Sequence, residues 1–247
     1  MRVLKRTFGF LWALWGGFWF MAIITVFTIL YAPLFLFTGK KYVRQCIWIN
    51  CHYLCNWLLF LTLVRKRIHN ADRIDKKGTY VFVANHSTQY DTLVGAGSLP
   101  HPASFLAKAE LKKVPMFGYM VQMLAYTVDR KDKESRENSI RNLAAELAKG
   151  NSIFIFPEGT RNRTDKPLID FRDGAFGMAI MAQAPIVVQT LVGMRKINAA
   201  EGIQLYPGVA DVYWSHPIET KGMTAADIPT LKQRVRDEML KHLQEKQ

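Results

Sequence analysis

The apolar positions fall into two regimes along the chain. Residues 7–38 carry no charged side chain, and a second apolar run covers residues 47–64, interrupted by Asn50, His52 and Asn56. From about Asp72 onward, short runs rich in β-branched and aromatic residues alternate with stretches at helical spacing, the pattern of an α/β domain. Residues 79–84 (TYVFVA) read as a buried strand, and 125–128, 152–156, 186–192 and 209–215 as further strands. Residues 135–149 predict an amphipathic helix with Ile140, Leu143, Ala144 and Leu147 on one face and Gly150 as its stop. Helices are also predicted over 174–183 and 227–245, the latter rich in both charge signs. There is no internal repeat or long linker. The expected architecture is a single α/β domain over residues 68–247, with a central mixed sheet flanked by helices. An apolar, membrane-associating helical segment over residues 1–67 precedes it.

As a helix, residues 7–38 would extend about 48 Å at 1.5 Å per residue, against a bilayer core about 30 Å thick. That is too long for one upright span, and Gly16, Gly17 and Pro33 supply places to bend. The 247-residue chain has a formal net charge of +13, and no Asp or Glu occurs before Asp72. The cations of that part are Arg2, Lys5, Arg6, Lys40, Lys41, Arg44, Arg65, Lys66 and Arg67, and most flank the apolar runs. Such placement suits an anionic membrane surface better than a nucleic-acid groove, and no RNA-binding motif accompanies the aromatic residues. If both runs crossed a bilayer, the middle cluster would face away from the other two, against the positive-inside tendency. A hairpin dipping into one leaflet lets all three clusters meet the same headgroups, and this arrangement is the expected one. The first run is longer than a signal-peptide core, and no small-residue cleavage site follows it. Cys46, Cys51 and Cys55 form no C-x-x-C and read as reduced, packed thiols. The six tryptophans, mostly N-terminal, read as interfacial anchors, and His52, His69, His101, His216 and His242 as ordinary surface or packing residues.

Two strand ends carry candidate chemistry. Asn85-His86-Ser87-Thr88-Gln89-Tyr90-Asp91 follows the strand at 79–84, and ligands of open α/β sheets bind outside the strands' carboxyl ends. If the chain turns into a helix there, the Asp91 carboxylate can return to the His86 imidazole, fix its tautomer and support it as a general base. At this spacing alone a structural pair is the better reading. Phe156-Pro157-Glu158-Gly159-Thr160-Arg161 follows the strand at 152–156. Gly159 permits close backbone approach, Arg161 offers a planar fork suited to phosphate, and Glu158 is placed to hold that fork. Taken singly, this segment also fits a turn with a surface ion pair.

Together the two motifs resemble the signature of the glycerolipid acyltransferase family, most nearly its bacterial 1-acyl-sn-glycerol-3-phosphate acyltransferases. Lys108-Ala109-Glu110-Leu111-Lys112-Lys113-Val114-Pro115 through Val128-Asp129-Arg130 resembles the family's middle motif, and Phe171-Arg172-Asp173-Gly174-Ala175-Phe176 the turn before its next helix. The likeness covers about residues 65–215 and departs from the family pattern at Leu124, at Thr127 and in the run 185–189. The resemblance implies His86 and Asp91 as the catalytic pair. It implies Arg130, Glu158, Gly159, Thr160 and Arg161, with Lys108, as the grip on the acceptor's phosphate. It implies no cofactor and no metal. An acyl-CoA or an acyl-carrier protein serves as donor, and a lysophospholipid, above all lysophosphatidic acid, as acceptor. Another acceptor, such as a lyso-ornithine lipid, fits the same motifs. A lipid hydrolase lacks its Gly-x-Ser-x-Gly elbow here, and a non-catalytic membrane-anchored binder would have no need of the His–Asp pair. The implied location is a membrane, the bacterial inner membrane with the catalytic domain on the cytoplasmic side, with membrane lipids rather than nucleic acid as partners.

Overall fold

A computed structural model describes residues 2–199 and 203–244; Glu245, the last position of the expected C-terminal helix, lies outside them. The chain opens with α1 (Arg2–Thr38), then α2 (Val43–Ile49), a π-helical turn (Asn50–Leu54) and α3 (Cys55–Leu61). The two apolar runs are therefore an antiparallel helical pair joined near Gly39, which takes φ +57°. α1 is one continuous helix from Arg2 to Thr38, with Pro33 inside it. Gly16 serves close approach: a Cβ there would sit 2.9 Å from the Tyr90 hydroxyl and 3.1 Å from Thr62. Asn50 and Asn56 of the second run find partners within the pair and just beyond it, at Gly97. Asn50 accepts from Tyr31 (3.3 Å), and Asn56 donates to the carbonyls of His52 and Gly97.

Among the described residues seven strands form one sheet in the order β1-β7-β6-β2-β5-β3-β4. They are β1 (Val64–His69), β2 (Val81–Ala84), β3 (Ala103–Lys108), β4 (Ala125–Val128), β5 (Ser152–Ile155), β6 (Ile186–Val192) and β7 (Gly208–Trp214). Strands β6, β2, β5, β3 and β4 run parallel, while β7 is antiparallel to β6 and parallel to β1. Two consequences matter for function. The carboxyl ends of five neighbouring strands share one edge. The start of β1, where the chain leaves the helical pair, pairs Val64 with Gly208 and so lies at that same edge.

Central strands are buried on both faces, which is why they read as unbroken apolar runs. Phe82, Ala84, Phe154 and Val187 face one core with Ile24, Tyr31, Phe35, Leu54 and Trp214. Val81, Val83, Ile153 and Val188 face the other, against α6 (Lys133–Ala148), α7 (Gly174–Met181) and α9 (Ile228–Gln244) through Leu143, Leu147, Phe176, Leu231 and Val235. The shorter helices α4 (Asp91–Ala96), α5 (Phe117–Leu124) and α8 (Met194–Ile197) complete the chain. Asp132 caps α6 by accepting from Glu134 N and Ser135 N, a contact typically worth about 1 kcal/mol.

Several expectations shift. The triplet Arg65-Lys66-Arg67 is not simply a flank of the apolar run but lies in β1, a sheet edge where charged side chains block further strand pairing. Lys66 donates to the Gly97 carbonyl behind α4. Trp12 and Trp15 have a structural role as well: their indole N–H groups donate to the carbonyls of Thr62 (3.0 Å) and Leu61 (2.9 Å), holding α1 to the end of α3. Trp214 belongs to the core. His69 is bonded to Asp211 at 2.8 Å and stacked on Tyr213.

Candidate active site

Asn85 decides how the chain leaves β2. Its side-chain amide donates to the Leu191 carbonyl (3.0 Å) while its oxygen accepts from Leu191 N (2.7 Å), extending the β2–β6 pairing by one residue with a side chain. The chain then turns through residues 86–90 into α4, whose first residue is Asp91. The Asp91 carboxylate is fully buried. Oδ2 accepts from Thr88 N (2.6 Å), from Ser87 N and from His86 Nδ1 at 3.0 Å, and Oδ1 accepts from Thr88 Oγ1 (2.9 Å). With four donors around it the carboxylate has one orientation, and so does the imidazole it holds. Phe156 covers a face of that imidazole, the ring centroids 4.0 Å apart and 15° from parallel. The His86 side chain is 17% exposed, and its Nε2 makes no hydrogen bond to any described residue. A histidine clamped through Nδ1 and open at Nε2 is arranged to take a proton from a bound hydroxyl.

The loop after β5 meets this turn directly. Asn162 N donates to the His86 carbonyl (2.6 Å), and Glu158 Oε1 accepts from His86 N (2.7 Å). Glu158 Oε2 accepts from Ile169 N (3.3 Å), so this carboxyl ties three segments together from within and is 1% exposed. It faces inward rather than toward the Arg161 fork. Burial raises its pKa from the ordinary 4.5 to about 7, against the lowering effect of the two N–H donors, and the nearby Asp91 charge adds to the rise. Gly159 takes φ +70°, its N–H closes a turn onto Phe156 O (3.1 Å), and its carbonyl accepts from Arg130. Thr160 is exposed and Arg161 half-buried at the mouth of the loop. Lys108, at the end of β3, is half-exposed and paired with Glu110 at 2.9 Å.

The edge thus brings together His86, Asp91, Glu158, Gly159, Thr160 and Arg161, with Arg130 reaching in from beyond β4 and Lys108 from β3. Sequence reasoning left out Asn85, Thr88, Phe156 and Asn162. Asn85 and Phe156 were visible as neighbours of the motif residues, but their roles depend on contacts far along the chain. Arg195, in α8 after β6, donates Nη2 to the Asn162 carbonyl at 3.1 Å, and no local signal marks it. Among the described residues no group of three or more His, Cys, Asp or Glu is placed to hold a metal ion.

This edge, with its buried carboxylate behind a half-open imidazole, can be set beside known proteins. Residues 65–191 match the family model described as Acyltransferase. The chain is 26% identical over 211 residues to the 1-acyl-sn-glycerol-3-phosphate acyltransferase of Saccharomyces cerevisiae, covering 84% of this chain and 68% of that protein. It is 29% identical over 183 residues to the human 1-acyl-sn-glycerol-3-phosphate acyltransferase alpha, covering 73% and 64%. The chain therefore spans about two thirds of the length of the curated relatives it matches. The crystal structure of the 1-acyl-sn-glycerophosphate acyltransferase PlsC from Thermotoga maritima shares the fold, with a TM-score of 0.77 at 20% identity over 99% of this chain and 97% of that one. Since the matched residues run from the first strand through β6 and include both motif-bearing loops, the chain belongs to the Acyltransferase family.

Proposed function

We propose that the protein is an O-acyltransferase that moves a fatty acyl group from an acyl thioester to the free hydroxyl of lysophosphatidic acid, giving phosphatidic acid. The observation that carries this reading is the His86 Nδ1–Asp91 Oδ2 bond, which leaves Nε2 open beside an arginine-bearing loop. Nε2 takes the hydroxyl proton as the oxygen attacks the thioester carbonyl. The new C–O bond forms, the tetrahedral intermediate collapses, the C–S bond breaks, and the imidazolium returns the proton to the departing thiolate. A thiol with a pKa near 8.5 is an adequate leaving group, so transfer is direct through a ternary complex and no acyl-enzyme forms. Asp91 supports the transient imidazolium. Arg161 and Arg130 bind the acceptor's phosphate, Lys108 adds charge nearby, and Thr160 offers a hydroxyl. Glu158 and Gly159 shape the loop that carries them.

Labelled acyl-CoA offered with a panel of lysolipids tests this. A diacyl product from lysophosphatidic acid, ahead of lyso-ornithine lipid and other acceptors, is expected. Release of free fatty acid without a diacyl product would identify a hydrolase and overturn the reading.

The helical segment that precedes β1 sits on one leaflet in this proposal, with the catalytic domain on the cytoplasmic side of a bacterial inner membrane. At 1.5 Å per residue α1 is about 55 Å long, and it packs along the domain from Gly9, whose carbonyl accepts from Leu205 N, to Tyr31 and Phe35 in the core. Its other face exposes Leu11, Leu14, Phe18, Val26, Ile29 and Leu30. A helix fastened lengthwise to a folded domain and apolar on its outer face is supported better by an interfacial position than by an upright span. An epitope tag beside Lys40 should be cut by protease from the same side of sealed vesicles as one at the C-terminus.

A further inference from the structure

Two residues of the catalytic turn take no part in the His86–Asp91 bond, yet both are held from outside the turn. Gln89 N donates to Asn198 Oδ1 at 3.2 Å. Asn198 directly follows α8 and is buried, and its other side-chain group donates to the Gln204 carbonyl (2.9 Å). Tyr90, next along, brings its hydroxyl to α1. A Cβ added at Gly16 would sit 2.9 Å from that oxygen, 3.0 Å from Leu205 Cδ2 and 3.1 Å from Thr62 Cγ2. Gly16 is therefore the place where the turn, the segment after α8 and the end of α3 all touch α1.

The two holds belong to one frame. Asn198 pairs with Leu205 in an antiparallel bridge, and Tyr206 N donates to the Ile197 carbonyl (2.7 Å). From there the contacts pass to α1: Leu205 N donates to the Gly9 carbonyl (3.0 Å), and the Tyr206 hydroxyl donates to the Lys5 carbonyl (3.3 Å). α8 also reaches the start of the turn, since Arg195 donates to the Asn162 carbonyl and Asn162 N to the His86 carbonyl.

These outer ties do something the inner ones cannot. The four donors around Asp91 come from residues 86–88, so they fix the imidazole within the turn and move with it. Where the far half of the turn stands against the β5 loop is set by Gln89 and Tyr90. Proton transfer loses rate steeply with a displacement on the order of 1 Å.

We infer that Asn198 and Tyr90 are positioning residues for acyl transfer, fastening the far half of the catalytic turn to α8 and to α1, so that the outer helix sets the place of the imidazole as well as meeting the lipid. The inference rests on the acyl-transfer reading.

The test compares full-length variants with wild type for transfer to lysophosphatidic acid, with kcat and both KM values resolved. Asn198→Ala should lower kcat roughly tenfold, the scale of one hydrogen bond, and leave both KM values in place. Asn198→Asp keeps an oxygen for Gln89 N and gives up the donor to Gln204, so it should recover most of that kcat. An Asp variant as slow as Ala would assign Asn198 to bracing Gln204, and a raised KM with kcat kept would assign it to binding; either overturns the inference. From the α1 side, Gly16→Ala should lower kcat severalfold, while Gly17→Ala, whose Cβ meets nothing within 4 Å, should match wild type. Equal behaviour of the two would leave α1 as an anchor only and also overturn it. If Asn198→Ala misfolds, an ester in place of the peptide group that carries Gln89 N removes the single N–H; a wild-type kcat there counts against the inference, a matching fall supports it.

A signal that needs no turnover separates this role from the acyl-transfer reading. The His86 ring lies over Phe156 of the β5 loop, with centroids 4.0 Å apart, so the ring-current shift of its protons reports where the turn stands. That shift should move toward the unstacked value in Asn198→Ala and Gly16→Ala, and stay in place in Asn198→Asp and Gly17→Ala. Shifts that move as stated, in a protein that transfers to no lysolipid, fail the acyl-transfer reading alone. Transfer by wild type, with shift and kcat unmoved in the variants, fails the positioning role alone.

Discussion

The loops that leave β2 and β5 meet at one edge but are built on opposite plans. In the β2 turn the reacting pair is held from within: Asp91 gathers four donors from residues 86–88, one of them the imidazole Nδ1, while Leu191 of β6 and Phe156 of the β5 loop add an outer tie and a ring cover. The β5 loop is held by other segments, through Glu158 to His86 and Ile169 and through Gly159 to Arg130, and its own outward groups, Thr160 and Arg161, stay accessible. Under the proposed function, the difference separates two tasks. Proton transfer tolerates little displacement, so its residues are locked by near neighbours in sequence. Recognition of a mobile lipid headgroup needs reach, so its residues stand on a loop braced from behind.

If that division holds, variants in the two loops should fail in different ways. The largest effect is expected for His86→Ala, a fall in kcat of roughly 10²–10⁴-fold, the contribution typical of a positioned general base, with the circular dichroism spectrum unchanged; activity within a few-fold of wild type would dissolve the distinction. Glu158 sharpens it through pH. Its folded pKa, about 7, stands above its ordinary 4.5, so the folded state holds a proton the unfolded chain has released. The stabilising contribution is complete below about pH 4.5 and is lost as pH rises through 7, on the order of 3 kcal/mol at 1.36 kcal/mol per unit. Denaturation midpoints in detergent should decline across that window for wild type and stay flatter for Glu158→Gln; parallel profiles would remove Glu158 as the buried brace. Asn85→Ala strips partners from both backbone groups of buried Leu191 and should cost about 2 kcal/mol, read by chemical denaturation, with the surviving folded fraction slowed because the turn carrying His86 has lost its tie to β6. Arg161→Gln should produce the mildest change, an acceptor KM raised roughly tenfold with kcat nearly kept, the mark of lost binding rather than lost chemistry. A collapse of kcat there instead would merge the two tasks.

Much of this division was legible in the sequence, and the illegible part has a physical pattern. His86 and Asp91 lie five residues apart, and the strand before them reads as continuous apolar sequence because β2 is covered on both faces. Glu158 was legible as a residue that matters but not for what it bonds, since its partners at His86 and Ile169 are set by tertiary folding. Strand β1 was hidden because its three successive charges, Arg65-Lys66-Arg67, are tolerated only at a sheet edge. Strand β3 was hidden in ASFLAK, whose weak β character is overridden by its neighbours β5 and β4. α1 continues through Gly16 and Pro33, because helix-breaking residues are tolerated when a helix is fastened along its length by tertiary contacts. Arg195 carries no local mark, because its contact, the Asn162 carbonyl, lies in the loop after β5.

The reversed direction of β7 and β1 has a consequence for traffic. Because β1 begins where the five parallel strands finish, the junction with the outer helices and the reactive groups occupy one rim of the molecule. On the proposed one-leaflet placement, the lipid reactant and its two-tailed product never leave the plane in which they diffuse. The protein samples them sideways, in two dimensions, while only the thioester carrier arrives and departs through water. Turnover would then respond to the surface density of acceptor in the sheet of lipid, not to its bulk concentration.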